Sequence, residues 1–175
     1  DASLPLCNEA LQIDPDDGFA LMHRAHLWLQ KRNHRAALVD IDKAAAALPW
    51  TGWPHAIKGE IYASMMEDDL SVTEYSKAIE IQPNGSQFFL GRGIAQSGRR
   101  DFEASLRDLT RAYELGHGDL YALYQRADVY QALNRYDESL QDLSTLIKAQ
   151  PQEANHFVRR GIVLKRLNRT SEAER

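Results

Sequence analysis

The sequence predicts an all-α protein built from repeated pairs of helices. Small and apolar residues recur at spacings of three and four, which places one apolar stripe on each helix. The same pattern returns after every 34 residues along the chain. A fixed period of this kind indicates stacked structural repeats, in which each unit covers its apolar faces with its neighbours.

The clearest copy of the pattern is Leu120–Glu153. Its first half places Leu123 and Ala127 on one helical stripe, and its second half opens with acidic residues, which the helix dipole favours in a first turn. Pro151 then ends the second helix, because proline cannot continue the helical hydrogen-bond ladder. The stretch therefore predicts one helix, a tight turn and a second helix.

The register is kept when the chain is numbered in 34-residue copies that begin at Gly18, Gly52, Ser86, Leu120 and Ala154. Position 8 of the copies is small in every case: Ala25, Gly59, Gly93, Ala127 and Gly161. Position 27, counted from a partial copy before Gly18, is Ala10, Ala44, Ala78, Ala112 and Leu146. Position 32 is Pro15, Pro49, Pro83, His117 and Pro151. Small residues are expected where two helices approach closely.

These residues resemble the tetratricopeptide repeat family, whose signature has a small residue and then an aromatic residue in the first helix, an alanine in the second, and a terminal proline. The resemblance implies a right-handed α-solenoid of antiparallel helix pairs, with first helices lining a concave face and second helices covering the convex one. One solenoid would span residues 1–175. It would comprise a second helix of an upstream repeat at 1–17, complete repeats at 18–51, 52–85, 86–119 and 120–153, and the first helix of a further repeat at 154–175.

Several departures from the pattern predict local features. The first helix is expected to start near Pro5 and the chain before it to fray, because proline is tolerated in a first turn. Trp50 is expected to pack over a helix joint, with Pro54 in the first turn of the next helix. Serine at position 20 in three copies is small enough to keep the packing, and three glycines between Gly91 and Gly98 make that helix the softest.

Opposite charges recur at two positions of the copies. Position 7 is basic: Arg24, Lys58, Arg92, Arg126 and Arg160. Position 23 is acidic: Asp40, Glu74, Asp108 and Asp142. The recurrence predicts a ladder of ion pairs with a structural role, and the spacing leaves open whether each pair forms within a repeat or between neighbours.

Composition and charge narrow the classes of function. The net charge of −4 argues against a general nucleic-acid binder, for which a clustered basic surface is expected. A single cysteine, Cys7, excludes an internal disulfide framework and favours a reducing, cytoplasmic setting, although two glycosylation triplets at Asn84 and Asn168 leave a secreted protein as an alternative. No apolar run is long enough for membrane insertion.

The sequence offers no convincing catalytic, cofactor or metal site. The run from Gly91 to Gly93 lacks the third glycine of a dinucleotide fingerprint and follows no strand. His23 and His26 share one helix face with Glu60 near them, but no further ligand converges on them. Catalysis within the chain, a cofactor and a bound metal are therefore not expected.

The remaining candidate is the concave groove. In the geometry that the resemblance implies, positions 2, 5, 6, 9, 12 and 13 of each first helix face it. The predicted partner-binding residues are Phe19, Met22, His23, His26, Trp53, Ile57, Glu60, Gln87, Leu90, Gly91, Ile94, Tyr121, Tyr124, Gln125, Asp128, Asn155, Val158, Arg159 and Ile162. Position 2 is aromatic in three of five copies, and exposed aromatic residues are typical of binding patches.

Two specialised versions of the groove are disfavoured. Family members that bind chaperones hold a terminal carboxylate with lysine, arginine and asparagine, whereas the matching slots here are Met22, His26, Ile57, Gln87 and Gly91. The sugar-transferase superhelix has asparagine at position 6, where this chain has His23, Ile57, Gly91, Gln125 and Arg159.

The sequence thus favours a non-catalytic scaffold that binds a peptide or helical segment of a partner protein in the concave groove. An alternative is a regulatory or substrate-recruiting arm of an enzyme whose catalytic domain lies outside this fragment. A third possibility is self-association through the open ends of the solenoid.

Overall fold

The computed structural model describes residues 3–169, which form ten α-helices and no strand. In chain order the helices are α1 Ser3–Ile13, α2 Gly18–Gln30, α3 His34–Ala47, α4 Trp53–Ser64, α5 Asp68–Ile81, α6 Ser86–Gly98, α7 Phe102–Leu115, α8 Leu120–Ala132, α9 Tyr136–Ala149 and α10 Ala154–Arg166. The all-α class is as predicted. None of these helices is long and apolar enough to cross a membrane.

Each helix packs against the next, and the short turns between them make the neighbours antiparallel. In addition, the first helices of successive pairs touch one another: α2 contacts α4, α4 contacts α6, and α6 contacts α8. The second helices α3, α5, α7 and α9 make no comparable contact among the described residues. The stack is therefore tighter on the side of the first helices, which form its inner wall.

A left-handed residue ends the first helix of every pair. The φ angle is 57° at Arg32, 61° at Met66, 64° at Arg100, 58° at Asn134 and 57° at Asn168, and all five stand at position 15 of the repeat. This conformation reverses the chain after the helix. Asparagine tolerates it, whereas arginine and methionine adopt it at a cost.

The turn between α7 and α8 explains the break in the proline pattern. His117 has a φ angle of 51° and Gly118 one of 94°. Because the proline ring fixes φ near about −65°, a proline would not fit at His117. This turn therefore has His117 at the position where the other copies have proline, followed by Gly118, and both adopt a positive φ angle.

Small buried residues let the two helices of a pair approach closely. The hydroxyl of Ser105 donates to the carbonyl oxygen of Gly93 at 2.6 Å, and that of Ser139 donates to the carbonyl oxygen of Ala127 at 3.0 Å. Ser71, the corresponding residue of α5, is equally buried, but its hydroxyl has no hydrogen-bond partner. All three serines keep the close packing that the sequence predicts.

The proline predictions are confirmed and the tryptophan prediction is wrong. Pro5 lies in the first turn of α1 and Pro54 in that of α4, while residues 1 and 2 lie outside the described part of the chain. Trp50, however, is 67% exposed. The helix joint is already closed by Gly52, whose backbone N–H donates to Oε1 of Gln82 at 2.8 Å and where an added Cβ would lie 2.6 Å from a backbone oxygen of α5.

Candidate functional site

An open cavity of about 420 Å³ lies between α4, α6 and α8 on the inner wall. Eight of the predicted groove residues line it: Trp53, Ile57, Glu60, Gln87, Leu90, Gly91, Ile94 and Tyr121. Ala56, Ala63 and Tyr75 complete the lining. Most of these side chains are apolar, and the volume lies within the range of roughly 300–1,000 Å³ that is common for ligand sites.

Two aromatic side chains stand at the edge of the cavity. Trp53 is 43% exposed and Tyr121 is 53% exposed. The Trp53 ring is held by an edge-to-face contact with Phe88, with ring centroids 5.2 Å apart. The Trp53 ring is thus held in place by the core, while part of its surface remains accessible to a ligand.

Tyr75 of α5 reaches through the inner wall to the cavity and is only 9% exposed. A Cβ added at Gly91 would lie 2.2 Å from Cζ and 2.6 Å from the hydroxyl oxygen of Tyr75. A Cβ added at Gly59 would lie 2.9 Å from the same ring. The two glycines therefore make the space in which the tyrosine lies.

Sequence reasoning missed Tyr75 because it belongs to a second helix, which was expected to face the convex side. A signal was nevertheless present. Position 24 is Ile41, Leu109 and Leu143 in the other complete copies, and only α5 has a longer, polar-tipped residue there. The following copy has a glycine, Gly91, at position 6, and this glycine lies against the Tyr75 ring.

The polar groups at the cavity are sparse. Glu60 is its one charged lining residue among those described, and Oε2 of Glu60 lies 4.0 Å from Nδ1 of His26. His23, although exposed on the same helix as His26, does not join them in a cluster. Within residues 3–169 no three His, Cys, Asp or Glu side chains converge in a way that would hold a metal ion.

At the far end of the groove, the predicted residues contact one another. The guanidinium of Arg159 lies over the ring of Tyr124, 4.1 Å from its centroid, and forms a salt bridge with Asp128. Burial raises the pKa of Asp128 above its ordinary value even though Arg159 opposes this. The Tyr124 ring also stacks on Tyr121, with centroids 6.3 Å apart, and Asn155 donates to its hydroxyl at 3.4 Å.

The other predicted groove residues lie outside the cavity. Phe19 of α2 and both Val158 and Ile162 of α10 are exposed apolar side chains. Met22 is partly buried against the hydrophobic core of the first helix pairs, and Gln125 is half-buried on α8. The structure therefore gathers the middle of the predicted groove into one site and leaves its two ends as separate patches.

The predicted ion pairs form within three of the four complete helix pairs. Arg24, Arg92 and Arg126 each donate two parallel hydrogen bonds of 2.6–2.9 Å to Asp40, Asp108 and Asp142. The remaining nitrogen of each guanidinium, Nη1, donates to the preceding repeat, at Asn8, Ser76 and Thr110. One guanidinium thus joins both helices of its own pair to the pair before it.

The second pair, α4 and α5, does not follow this arrangement. Lys58 donates to Asp42 of the preceding pair at 2.6 Å, and Glu74 instead contacts His55 at 2.7 Å and Lys77 at 2.8 Å. Burial tends to raise the pKa of Glu74, but the hydrogen bonds from Lys77 and His55 outweigh it and hold that pKa below its ordinary value. The ladder expected at Lys58 and Glu74 is therefore rearranged.

Comparison with known proteins supports the tetratricopeptide repeat. The sequence model of the tetratricopeptide repeat matches residues 120–153. This segment is a tetratricopeptide repeat. A solved structure of YrrB, described as a tetratricopeptide repeat protein with an unusual peptide-binding site, superposes with a TM-score of 0.76 and 19% identity over 95% of this chain and 86% of that one. The helices therefore form a tetratricopeptide repeat superhelix.

Two sequence relatives of this repeat protein are larger. Superkiller protein 3 of Saccharomyces cerevisiae is 26% identical over 138 residues, which are 75% of this chain and 10% of the relative. Serine/threonine-protein phosphatase 5 of Homo sapiens is 28% identical over 92 residues, which are 53% of this chain and 18% of the relative. The chain thus spans less than a fifth of the length of either protein. Its fold is that of a protein–protein interaction scaffold.

Proposed function

We propose that this repeat protein binds a peptide or helical segment of a partner protein in its concave groove, at the cavity between α4, α6 and α8. The supporting observation is the joint exposure of Trp53 and Tyr121 beside a largely apolar cavity of about 420 Å³. Large aromatic side chains that line a pocket are the residues that dominate binding energies at protein interfaces.

The groove offers contact area along its length rather than at one point. Phe19 extends the apolar surface toward the N-terminal end, and Val158 and Ile162 extend it toward the C-terminal end. An extended or helical segment presents side chains at regular intervals, so it would meet the cavity with one anchor residue and the flanking patches with others.

The test of this proposal is the double variant Trp53→Ala/Tyr121→Ala. A partner recovered with the unmodified chain is expected to lose at least about 30-fold in affinity, because the loss of even one aromatic anchor is worth roughly 2 kcal/mol and the two losses need not add. Affinity is measured by isothermal titration calorimetry and folding by thermal unfolding. Trp50→Ala, which removes an exposed tryptophan outside the cavity, is the matched control.

Unchanged affinity in a folded double variant would refute the groove assignment. Equal losses in the double variant and in Trp50→Ala would also refute it, because the effect would then not depend on the cavity.

A second candidate function is a regulatory or substrate-recruiting arm of an enzyme. The similarity to part of serine/threonine-protein phosphatase 5 favours it, since that protein is by name an enzyme of which the chain matches only 18%. Residues 3–169 consist of repeat helices alone, so the catalytic domain would lie elsewhere in a longer protein. The complete gene sequence decides between the two: a flanking catalytic domain supports the arm, and further repeats alone contradict it.

Self-association is a further proposal, through the face of α10 on which Phe157 is exposed outside the groove. Sedimentation velocity over a concentration series would show a concentration-dependent dimer.

We further propose a cytoplasmic protein without affinity for nucleic acid, on the basis of its net charge of −4 and its single cysteine. Fluorescence anisotropy with labelled oligonucleotides tests the absence of nucleic-acid binding.

A further inference from the structure

Two polar groups at the cavity lack a hydrogen-bond partner in the described chain. The first is the hydroxyl of Tyr75, a residue that is nine-tenths buried and forms no hydrogen bond with residues 3–169. Burial, and after it the charge of Glu60, raise the pKa of Tyr75 well above its ordinary value. The side chain is therefore a neutral hydroxyl that can accept a hydrogen bond from a ligand in the cavity.

The second group is the carboxylate of Glu60. Its side chain is 52% exposed, and the nearest positively chargeable atom that the structure describes is Nδ1 of His26 at 4.0 Å, which is too long for a hydrogen bond. Both Glu60 and Tyr75 line the same cavity. No lysine or arginine lines the cavity among the described residues.

The C-terminal end of the same groove shows how a carboxylate at the equivalent position is neutralised. Glu60 stands at position 9 of its repeat, and Asp128 stands at position 9 two repeats later. Asp128 is neutralised by Arg159, which comes from position 6 of the next first helix and lies over the ring of Tyr124. The residue at position 6 after Glu60 is Gly91, which has no side chain to offer.

The groove thus contains two sites that combine an acidic side chain with aromatic rings. In one, Arg159 of this chain binds Asp128 and Tyr124. In the other, at Glu60, no arginine or lysine of the described chain is present. This second site has Glu60 for the charge and Trp53, Tyr75 and Tyr121 as aromatic walls. Aromatic faces attract cations, and the aliphatic stem of a lysine or arginine packs on apolar surface such as that of Ile57.

Other anchor residues fit the cavity less well. An acidic side chain would be repelled by Glu60. A purely apolar side chain would bury the hydroxyl of Tyr75 without a partner, and a buried polar group without a hydrogen bond costs free energy. A basic side chain is able to donate to both Tyr75 and Glu60 while its stem covers the apolar wall.

We propose that the cavity between α4, α6 and α8 holds a lysine or arginine side chain of the partner segment, beside the carboxylate of Glu60 and against the aromatic side chains that line the cavity. This inference rests on the proposed function, since it names the anchor residue of the ligand that the groove binds. The cation comes from the partner because Gly91 has no side chain and no lysine or arginine lines the cavity among the described residues.

The test uses a random peptide library displayed on phage and selected on the full chain, with binders to Trp53→Ala removed. The peptides that remain are expected to share a lysine or arginine at one position. Replacement of that residue by norleucine, and the variant Glu60→Gln, are each expected to weaken binding about tenfold. Tyr75→Phe, which removes only the hydroxyl, is expected to weaken it less.

The matched control is Glu80→Gln, which neutralises an exposed carboxylate on α5 away from the cavity and is expected to leave binding unchanged. Peptides that need Trp53 but share no basic residue, or that lose no more affinity with Glu60→Gln than with Glu80→Gln, would overturn this inference and leave the groove function standing. Failure to recover any peptide that needs Trp53 would overturn both proposals. Thermal unfolding of each variant establishes that it is folded.

Discussion

The helix pairs α4–α5 and α8–α9 share one 34-residue pattern, but their ion pairs differ. In α8–α9, Arg126 binds both oxygens of Asp142 at 2.7 and 2.8 Å and still reaches the preceding pair. In α4–α5, Lys58 donates its hydrogen bond to Asp42 of the preceding pair and not to Glu74 of its own. The difference follows from the cation, because guanidinium has five donors in a planar fork and an ammonium group is a compact point charge.

The pair with the irregular ion pairs, α4–α5, also lines the cavity together with α6 and α8. Position 24 is Tyr75 in α4–α5 and Leu143 in α8–α9, and only the tyrosine extends to the groove. In α8–α9 the hydrogen bonding that Arg126 donates to Asp142 is the main cause that raises the pKa of Arg126. Regular repeats therefore hold the stack together, while a repeat that departs from the pattern supplies a distinctive surface.

The largest expected difference between the two pairs is the loss of stability when the basic residue, Arg126 or Lys58, is replaced by alanine. Arg126→Ala leaves the buried carboxylate of Asp142 unpaired and is expected to lower the free energy of unfolding by about 3 kcal/mol. Lys58→Ala frees Asp42, which is mostly exposed, and is expected to cost about 1 kcal/mol or less. Urea denaturation measures both. Equal losses in the free energy of unfolding would show that the two-point Arg126–Asp142 ion pair stabilises the fold no more than the Lys58–Asp42 pair does.

The close approach at Gly91 is expected to give the next largest effect. Gly91→Ala places a Cβ 2.2 Å from the Tyr75 ring and should lower the free energy of unfolding by about 2 kcal/mol. Gly161→Ala on α10 meets nothing within 4 Å and should raise it by nearly 1 kcal/mol, because alanine favours helix more than glycine does. Thermal and urea unfolding compare the two variants.

A double-mutant cycle tests the cause of the loss at Gly91. Tyr75→Leu introduces the residue that the third and fourth repeats have at position 24, and it removes the ring that the new methyl group would meet. Gly91→Ala is therefore expected to cost much less in the Tyr75→Leu background. A strictly additive cycle would contradict the proposed steric contact.

The smallest expected effect is a regularisation of α4–α5. The double variant Lys58→Arg/Glu74→Asp introduces the pairing of the other repeats and is expected to raise the free energy of unfolding by about 1 kcal/mol, as an arginine fork binds a carboxylate in two places. Glu74→Asp alone should destabilise, because the shorter side chain draws away from His55. A double variant no more stable than the sum of the two single variants would show that the fork does not form.

Much of the architecture was predictable from the sequence, because helix spacing and the 34-residue register are local properties. The position of Pro54 in a first turn and the burial of Ser105 and Ser139 followed from the same register. The prediction that Trp50 packs over the helix joint is wrong, because Gly52 and Gln82 occupy that joint and leave Trp50 exposed. Which atoms fill a joint depends on the packing of several helices.

The candidate site shows the same division. The sequence by itself determined the repeat, the inner row of first helices and eight of the side chains at the cavity. Only the tertiary structure decided that Tyr75 crosses from a second helix into the space beside Gly91, and that Arg159 pairs with Asp128 while no lysine or arginine lines the cavity with Glu60 among the described residues. Register assigns a residue to a helix face, but its neighbours across the stack decide how far its side chain reaches and which partner it finds.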